Sequence, residues 1–276
     1  MRTHSVIRAI ALTLTLGAGT HTAAFAGSLP FTWNPSATGD SSEGAFKADR
    51  FDISDDVAIT VPANPSATGS VSESGYLFPT VFRLGTAVTS TANLTSNTWG
   101  IYEDFTATSH LTSCGGGLCG AFDSITASIY EYSTKHGVAS VTFSAGVPKL
   151  HLPNGADPVL LGTETGPVID SANTATIQSG VPGASVETLL TPNLTEAAFF
   201  VTPTTGLLDL QQAFINTMGV VSTVPGKCKP ATTCIYEIES GGGNGNFFRI
   251  PEAPTAAIFG TSLIALGFLR YRRHAS

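Results

Sequence analysis

The chain has 276 residues, with 20 Asp and Glu against 13 Lys and Arg, and only 12% of its residues are charged. So acidic a chain with so few cations is a poor partner for nucleic acid or anionic lipid, and those ligand classes are set aside at the outset. A low charge density with abundant Gly, Ser and Thr is an extracellular composition rather than that of a cytosolic enzyme.

In chain order, Arg2 and Arg8 precede an apolar stretch from Ala9 to Gly19, and Ala24-Phe25-Ala26 forms an A-x-A cleavage site before Gly27. A positive start, a short apolar run and small residues at the end make a secretory signal over 1–26. The mature chain then meets an oxidising compartment outside the cytoplasm. From 27 to 250 it has 224 residues with 19 acids against 8 cations, a net charge of −11. That length is ample to bury a core.

Strand patterns dominate this region. Ala45 to Ile53 alternates with a slip at Arg50, and Val57 to Val61 is a β-branched run. Gly75 to Leu84 is rich in Tyr, Phe and Val, and Thr98 to Thr106 alternates around Trp99, Ile101 and Phe105. Ile125 to Tyr132 and Val138 to Val147 follow, with Gly, Pro, Asn and Ser clusters between the runs. Leu207 to Met218 reads as a helix, since Leu207, Leu208, Leu210, Phe214 and Ile215 can share one broad face. Ser171 to Pro192 has no periodicity that assigns it. The expected fold is mainly β: a β-sandwich-like extracellular domain over 27–240 with one short helix, then a Gly/Asn-rich linker over 241–249. The hexapeptide Asn34 to Gly39 recurs at Asn64 to Gly69, and with no third copy it reads as two similar turns rather than a solenoid.

The four cysteines form two local pairs, Cys114/Cys119 and Cys228/Cys234. In an exported chain these read as small loop-closing disulfides, the alternative being a four-thiolate zinc site with unusually wide spacing. Asp49, Asp52, Asp55 and Asp56 are the densest acidic group. Asp52, Asp55 and Asp56 are weak calcium candidates, because the loop lacks the Gly and terminal Glu of an EF-hand. No other metal and no cofactor is expected.

Enzyme motifs fail on context. Gly115 to Gly120 fits G-x-G-x-x-G, yet a strand pattern follows where a dinucleotide site needs a helix. Gly39-Asp40-Ser41 resembles the nucleophile block of SGNH esterases, but none of His110, His136 and His151 has Asp three residues before it. Glu103-Asp104 and Glu237/Glu239 are carboxylate pairs that a glycosidase could use only at a separation sequence does not reveal. Trp33, Trp99, Tyr76, Tyr102, Tyr130 and Tyr132 are candidates for a sugar-stacking platform. Trp99 and Tyr102, three apart on a strand, face opposite ways, so unless a bulge intervenes they are expected to split, one in the core and the other at the surface.

The C-terminus combines Ile250-Pro251-Glu252-Ala253-Pro254, an uncharged run of 15 residues from Thr255 to Leu269, and the basic stop Arg270, Arg272 and Arg273. As a helix the run spans roughly 22 Å at about 1.5 Å per residue. That is short of the roughly 30 Å of a hydrocarbon core, although Tyr271 and the arginines extend it by snorkelling. Such a helix suits temporary membrane insertion.

Residues 250–276 resemble the PEP-CTERM sorting signal recognised by exosortases, with one departure, Ala253 between Glu252 and Pro254. The resemblance implies an exosortase-like protease or transpeptidase as partner. It also implies transient inner-membrane anchoring, processing near the motif, and a final place on the surface or in the matrix of a Gram-negative bacterium. Phe31-Thr32-Trp33-Asn34-Pro35, Phe46 to Asp49, Glu73 to Tyr76 and Thr98 to Tyr102 resemble the flocculation-associated group of PEP-CTERM proteins. That resemblance implies a non-enzymatic role in cell aggregation with extracellular polysaccharide. The alternative is a surface-anchored carbohydrate-binding module or polysaccharide hydrolase.

Overall fold

The computed structural model describes residues 28–38, 41–62, 69–114, 117–166, 175–178, 181–202, 208–215, 220–223 and 233–249. The segments read as a signal peptide, a sorting motif and a basic stop lie outside the described residues, as does Cys228. The chain begins with β1 (Phe31–Trp33), a 3-10 turn at Pro35–Ala37, β2 (Phe46–Ala48), β3 (Arg50–Pro62), β4 (Ser70–Leu84) and β5 (Ala87–Thr91). It continues with β6 (Trp99–Cys114), β7 (Gly117–Ser133), β8 (Ser140–Ser144), β9 (Val147–His151) and β10 (Val159–Gly166). The second half adds β11 (Ala175–Gln178), β12 (Val181–Leu194), β13 (Phe200–Thr202), β14 (Leu208–Ile215), β15 (Val220–Thr223) and β16 (Thr233–Arg249).

The protein is mainly β, and every strand pairing is antiparallel. In place of two stacked sheets, the eleven-stranded sheet closes on itself. Its ring runs β3–β4–β6–β7–β10–β12–β14–β16 and back to β3, with β11 also bridging β7 and β12. Closure removes the exposed strand edges that an open sheet of this size has to protect. The long walls β6, β7 and β16 have 16, 17 and 17 residues, about 50 Å at roughly 3.3 Å per residue.

Two expectations are corrected here. The segment read as a helix from Leu207 to Met218 contains strand β14, paired with β12 on one side and β16 on the other. Leu208, Leu210 and Phe214 also fit a period of two, and two flanking partners settle the matter in favour of a strand. The segment read as a linker, 241–249, is the second half of β16, in register with β3 and β14. Its glycines make room for neighbours: a Cβ on Gly241 would strike the Asp55 carboxylate, and one on Gly245 would enter the Phe51 ring. Val138 to Val147, read as one strand, is broken by a turn in which Ala145 and Gly146 both have positive φ, and it forms the hairpin β8–β9.

The interior is packed in two lobes. At one end Trp33 sits among Phe31, Phe46, Phe51, Phe82, Phe199, Phe200 and Phe247, ring centroids 4.9 to 6.4 Å away. These rings join the small sheet β13–β1–β2 to the barrel mouth, with Trp99, Ile101 and Leu161 below. At the other end Val57, Ile59, Val61, Val71, Leu111, Tyr236 and Ile238 close the core. The β8–β9 hairpin lies outside the barrel, where Val141 and Leu150 pack on Phe78, Tyr102 and Tyr132. This strap explains why Trp99 and Tyr102, on opposite faces of β6, are both buried, at 1% and 5% exposure. The expected split into one core and one surface residue fails because both faces of the wall are covered at that point.

Candidate functional site

The alternation of β6, β7 and β10 places apolar and acidic side chains inside the barrel and hydroxyls outside. Register carries the outward set across five strands. Ser74 on β4 lies opposite Thr106 on β6, Thr106 opposite Thr126 on β7, Thr126 opposite Thr165 on β10, and Thr165 opposite Thr191 on β12. The next row reads Tyr76, Asp104, Ser128, Thr163 and Asn193, and a shorter third row reads Ser72, Thr108 and Ser124. Residues directly opposite one another in a sheet share a face, so these rows form one surface. Thr106 and Thr126 hydroxyls are 3.0 Å apart and those of Thr108 and Ser124 are 2.7 Å apart, so the hydroxyls are hydrogen-bonded along the rows. A shallow groove of about 430 Å³ runs between Asp104, Thr106, Thr126, Ser128, Thr163 and Thr165. Partial burial raises the Asp104 carboxyl above its ordinary range. An apolar interior with a hydroxyl-rich exterior is the reverse of a membrane-spanning barrel wall.

The inner side of the same wall holds acids. Asp55, Glu103, Glu131 and Glu164 are each 3% exposed or less, and among the described residues no Lys or Arg is buried with them. Removal from water without a counter-charge favours the protonated form. Burial, with the Asp56 charge adding to it, pushes Asp55 up to about 6. Burial pushes Glu131 up to about 7 against the opposing hydrogen bond from the Thr38 hydroxyl. Glu73, whose carboxyl is withdrawn from solvent near Asp55, also rises to about 7. Glu164 rises well above its ordinary value, through burial first and the Glu103 charge second, and neither of its oxygens has a hydrogen-bond partner among the described residues.

The sequence candidates are not brought together as a site. Asp55 faces the interior, Asp52 pairs with Arg83 at 3.1 Å, Asp56 accepts from the Ser240 amide at 3.0 Å, and Asp49 accepts from the Gly85 amide at 2.8 Å. Neighbours on a strand point to opposite faces, which separates the calcium candidates Asp55 and Asp56. Among the described residues no three or more His, Cys, Asp or Glu side chains converge on a metal position. The same alternation splits Glu103, inside, from Asp104, outside. Glu237 accepts from the Gly146 amide at 3.2 Å and holds the tip of the strap. Ser41 accepts from the Glu43 amide at 3.0 Å, with the Thr98 hydroxyl as its other neighbour. His110 pairs with Asp123 at 2.6 Å and His151 with Thr142 at 2.7 Å, both at the surface.

The expected aromatic platform is also corrected: Trp33, Trp99, Tyr102 and Tyr132 are buried, and Tyr76 and Tyr130 are half-buried beside the strap. Tyr102 stacks on Tyr130 at 5.1 Å and 16°, so these faces are spent on each other. Cys114 ends β6 and Cys119 lies on β7, in register with Gly117 and Thr112, so Gly117 to Gly120 of the G-x-G-x-x-G match belong to a strand. Cys234 is buried at the start of β16.

Sequence reasoning named Asp55 and Glu103 in other roles and missed Glu131, Glu164 and the outer rows, yet the inner acids and the rows leave a trace. Glu131 is in phase with Ile125, Ala127 and Ile129, and Glu103 is in phase with Trp99, Ile101 and Phe105. An acid on the apolar beat of a strand is the signal. Thr106, Thr108, Ser124, Thr126 and Ser128 occupy the other beat. No protein-family model, curated protein or solved structure matches this chain.

Proposed function

We propose that this chain is an exported, non-enzymatic protein of the bacterial cell surface or extracellular matrix that holds extracellular polysaccharide and so promotes cell aggregation. The observation that carries this reading is the outward surface of Ser and Thr rows spread over β4, β6, β7, β10 and β12. Hydroxyls exchange their bonded water for sugar hydroxyls without desolvating a charge, at a net gain of about 0.5–1.5 kcal/mol per hydrogen bond. A polymer that meets many such groups at once, on many copies of the protein, is held by avidity. With a net charge of −11 over 27–250, neutral or basic polymers are favoured over acidic ones.

The export signal over 1–26 and the PEP-CTERM-like segment over 250–276 support delivery by an exosortase-like system through a transient membrane-inserted form. The pairs Cys114/Cys119 and Cys228/Cys234 would close disulfides on arrival in the oxidising compartment, pinning a hairpin end and the start of β16. The test is the intact mass of the protein recovered from culture supernatant and washed extracellular polymer. A C-terminus near Pro251, in polymer-associated material, is the expected result. Full-length chain confined to the membrane fraction would remove the sorting reading, and processed chain absent from the polymer would remove the matrix reading.

A further inference from the structure

A second feature, independent of the outer rows, lies at the barrel mouth. The end of β7, the start of β10 and the Pro153–Asp157 turn enclose a cavity of about 250 Å³. The turn is tied down by a hydrogen bond from the Ala156 amide to the Pro153 carbonyl at 3.1 Å, and to β7 by one from the Ser133 amide to the Ala156 carbonyl at 3.1 Å. Gly155 and Asp157 both adopt positive φ there, at 71° and 38°. For Asp157 this is an uncommon backbone state, and it persists because these bonds hold the turn in place.

Thr38, Ser41, Thr98 and Ser133 line the cavity together with Glu131 and Tyr132, whose ring packs on the outer face of β7 under the strap. Tyr132 is locked: its hydroxyl donates to Asn93 Oδ1 at 2.8 Å and accepts from the Ala139 amide at 3.0 Å. Glu131 is 3% exposed, and its one hydrogen bond among the described residues is accepted by Oε2 from the Thr38 hydroxyl. Its other oxygen is left for whatever enters the cavity. A nearly buried carboxyl with an acceptor oxygen to spare offers a polar ligand a ready hydrogen-bonding partner.

We propose that this cavity binds a single neutral, polyhydroxylated ring, such as one sugar unit or the end of a polysaccharide chain, with Glu131 as its central hydrogen-bonding group. Size sets the limit to one ring. The cavity falls below the roughly 300–1,000 Å³ of sites that hold drug-sized molecules, and at about 30 Å³ per water it holds roughly eight waters. Chemistry selects the class. Among the described residues the lining contains no Lys, Arg or His to receive an anion, and its acids are Glu131 and Asp157, too few ligands for a bare divalent cation. Because burial raises Glu131 to about 7, most of it carries a proton at pH 6.5, and the protonated carboxyl both donates and accepts, which suits a sugar hydroxyl that does the same.

The test is ligand-observed NMR on the folded protein at pH 6.5 with glucose, galactose and mannose as probes and glucuronate as the anionic control. At least one neutral hexose is expected to bind at millimolar concentration, and glucuronate is not. Glu131→Gln, which keeps a donor and an acceptor, should retain at least a third of the affinity, whereas Glu131→Leu should lower it tenfold or more. Ser133→Phe fills the cavity from a half-exposed position and provides a second loss variant should Glu131→Leu fail to fold. Failure of all three hexoses to bind would overturn the proposal, as would hexose binding that survives both loss variants. Neither result bears on polymer docking at the outer rows, which these variants leave intact.

Discussion

The two faces of one wall, β6–β7–β10, make opposite use of polar residues. Outside, Thr106, Thr126 and Thr165 form uncharged rows whose hydroxyls are satisfied by one another and by water. Inside, Glu103, Glu131 and Glu164 are sealed among Ile101, Ile129 and Leu161 with no buried cation among the described residues. The protein thus displays mostly uncharged groups where a polymer could lie, and withdraws acids into surroundings that raise Asp55, Glu131 and Glu164 toward their protonated forms. Surface hydroxyls cost the fold little, so they are free to serve recognition. Interior acids cost it stability in a way that depends on pH.

The strongest effect should come from the apolar setting that encloses the acids. Trp99, 1% exposed and in ring contact with Phe46, Phe82 and Phe199, should lose about 3–5 kcal/mol of stability as Trp99→Ala, read by denaturant unfolding. A loss below about 1 kcal/mol would mean that the aromatic lobe is not the main support.

Acidity comes next. The folded values of Asp55 and Glu131, about 6 and about 7, lie above the roughly 4 of an unfolded carboxyl. The folded state therefore binds more protons than the unfolded one between these values, and stability falls as pH rises. The contribution is complete below about pH 4 and is lost as pH climbs to 7, at about 3 kcal/mol for each group. Thermal unfolding should show a higher midpoint at pH 5 than at pH 8, and Asp55→Asn should shrink that difference. A midpoint that rises from pH 5 to pH 8 would contradict neutral interior acids.

A smaller effect tests the glycine strand. Gly241→Ala should cost about 1–3 kcal/mol through overpacking, and the cost should drop in an Asp55→Ala background because the added methyl meets that carboxylate. Equal costs in both backgrounds would place the strain elsewhere. The smallest change belongs to the exposed Asp52–Arg83 pair, where Arg83→Ala should alter stability by less than about 1 kcal/mol.

Much of the barrel wall was legible because Trp99, Ile101 and Phe105 alternate strictly, as do Ile125, Ala127 and Ile129. What stayed hidden depends on partners distant in sequence. Leu208, Leu210 and Phe214 satisfy helical and strand periods alike, and only β12 and β16 on either side decide between them. Gly241 to Gly245 has linker composition, and its role in a strand shows only once Asp55 and Phe51 are opposite it. Strand patterns alone also do not distinguish a sandwich from a ring, because the β7–β10 and β12–β14 pairings that close the ring are long-range. The candidate site was less legible still. Aromatic residues drew the eye as sugar platforms and proved to be packed, while the Thr rows exist only in register.

The most direct test of the outer face is co-sedimentation of the folded protein with insoluble extracellular polysaccharide, comparing the native chain with a Thr106→Asp/Thr126→Asp double variant. Both positions are exposed, so the variant should unfold at nearly the native midpoint. Polymer-bound native protein and a folded variant left in the supernatant are the expected result. Equal sedimentation of the two, or a native chain that stays in solution, would contradict polymer docking at the hydroxyl rows.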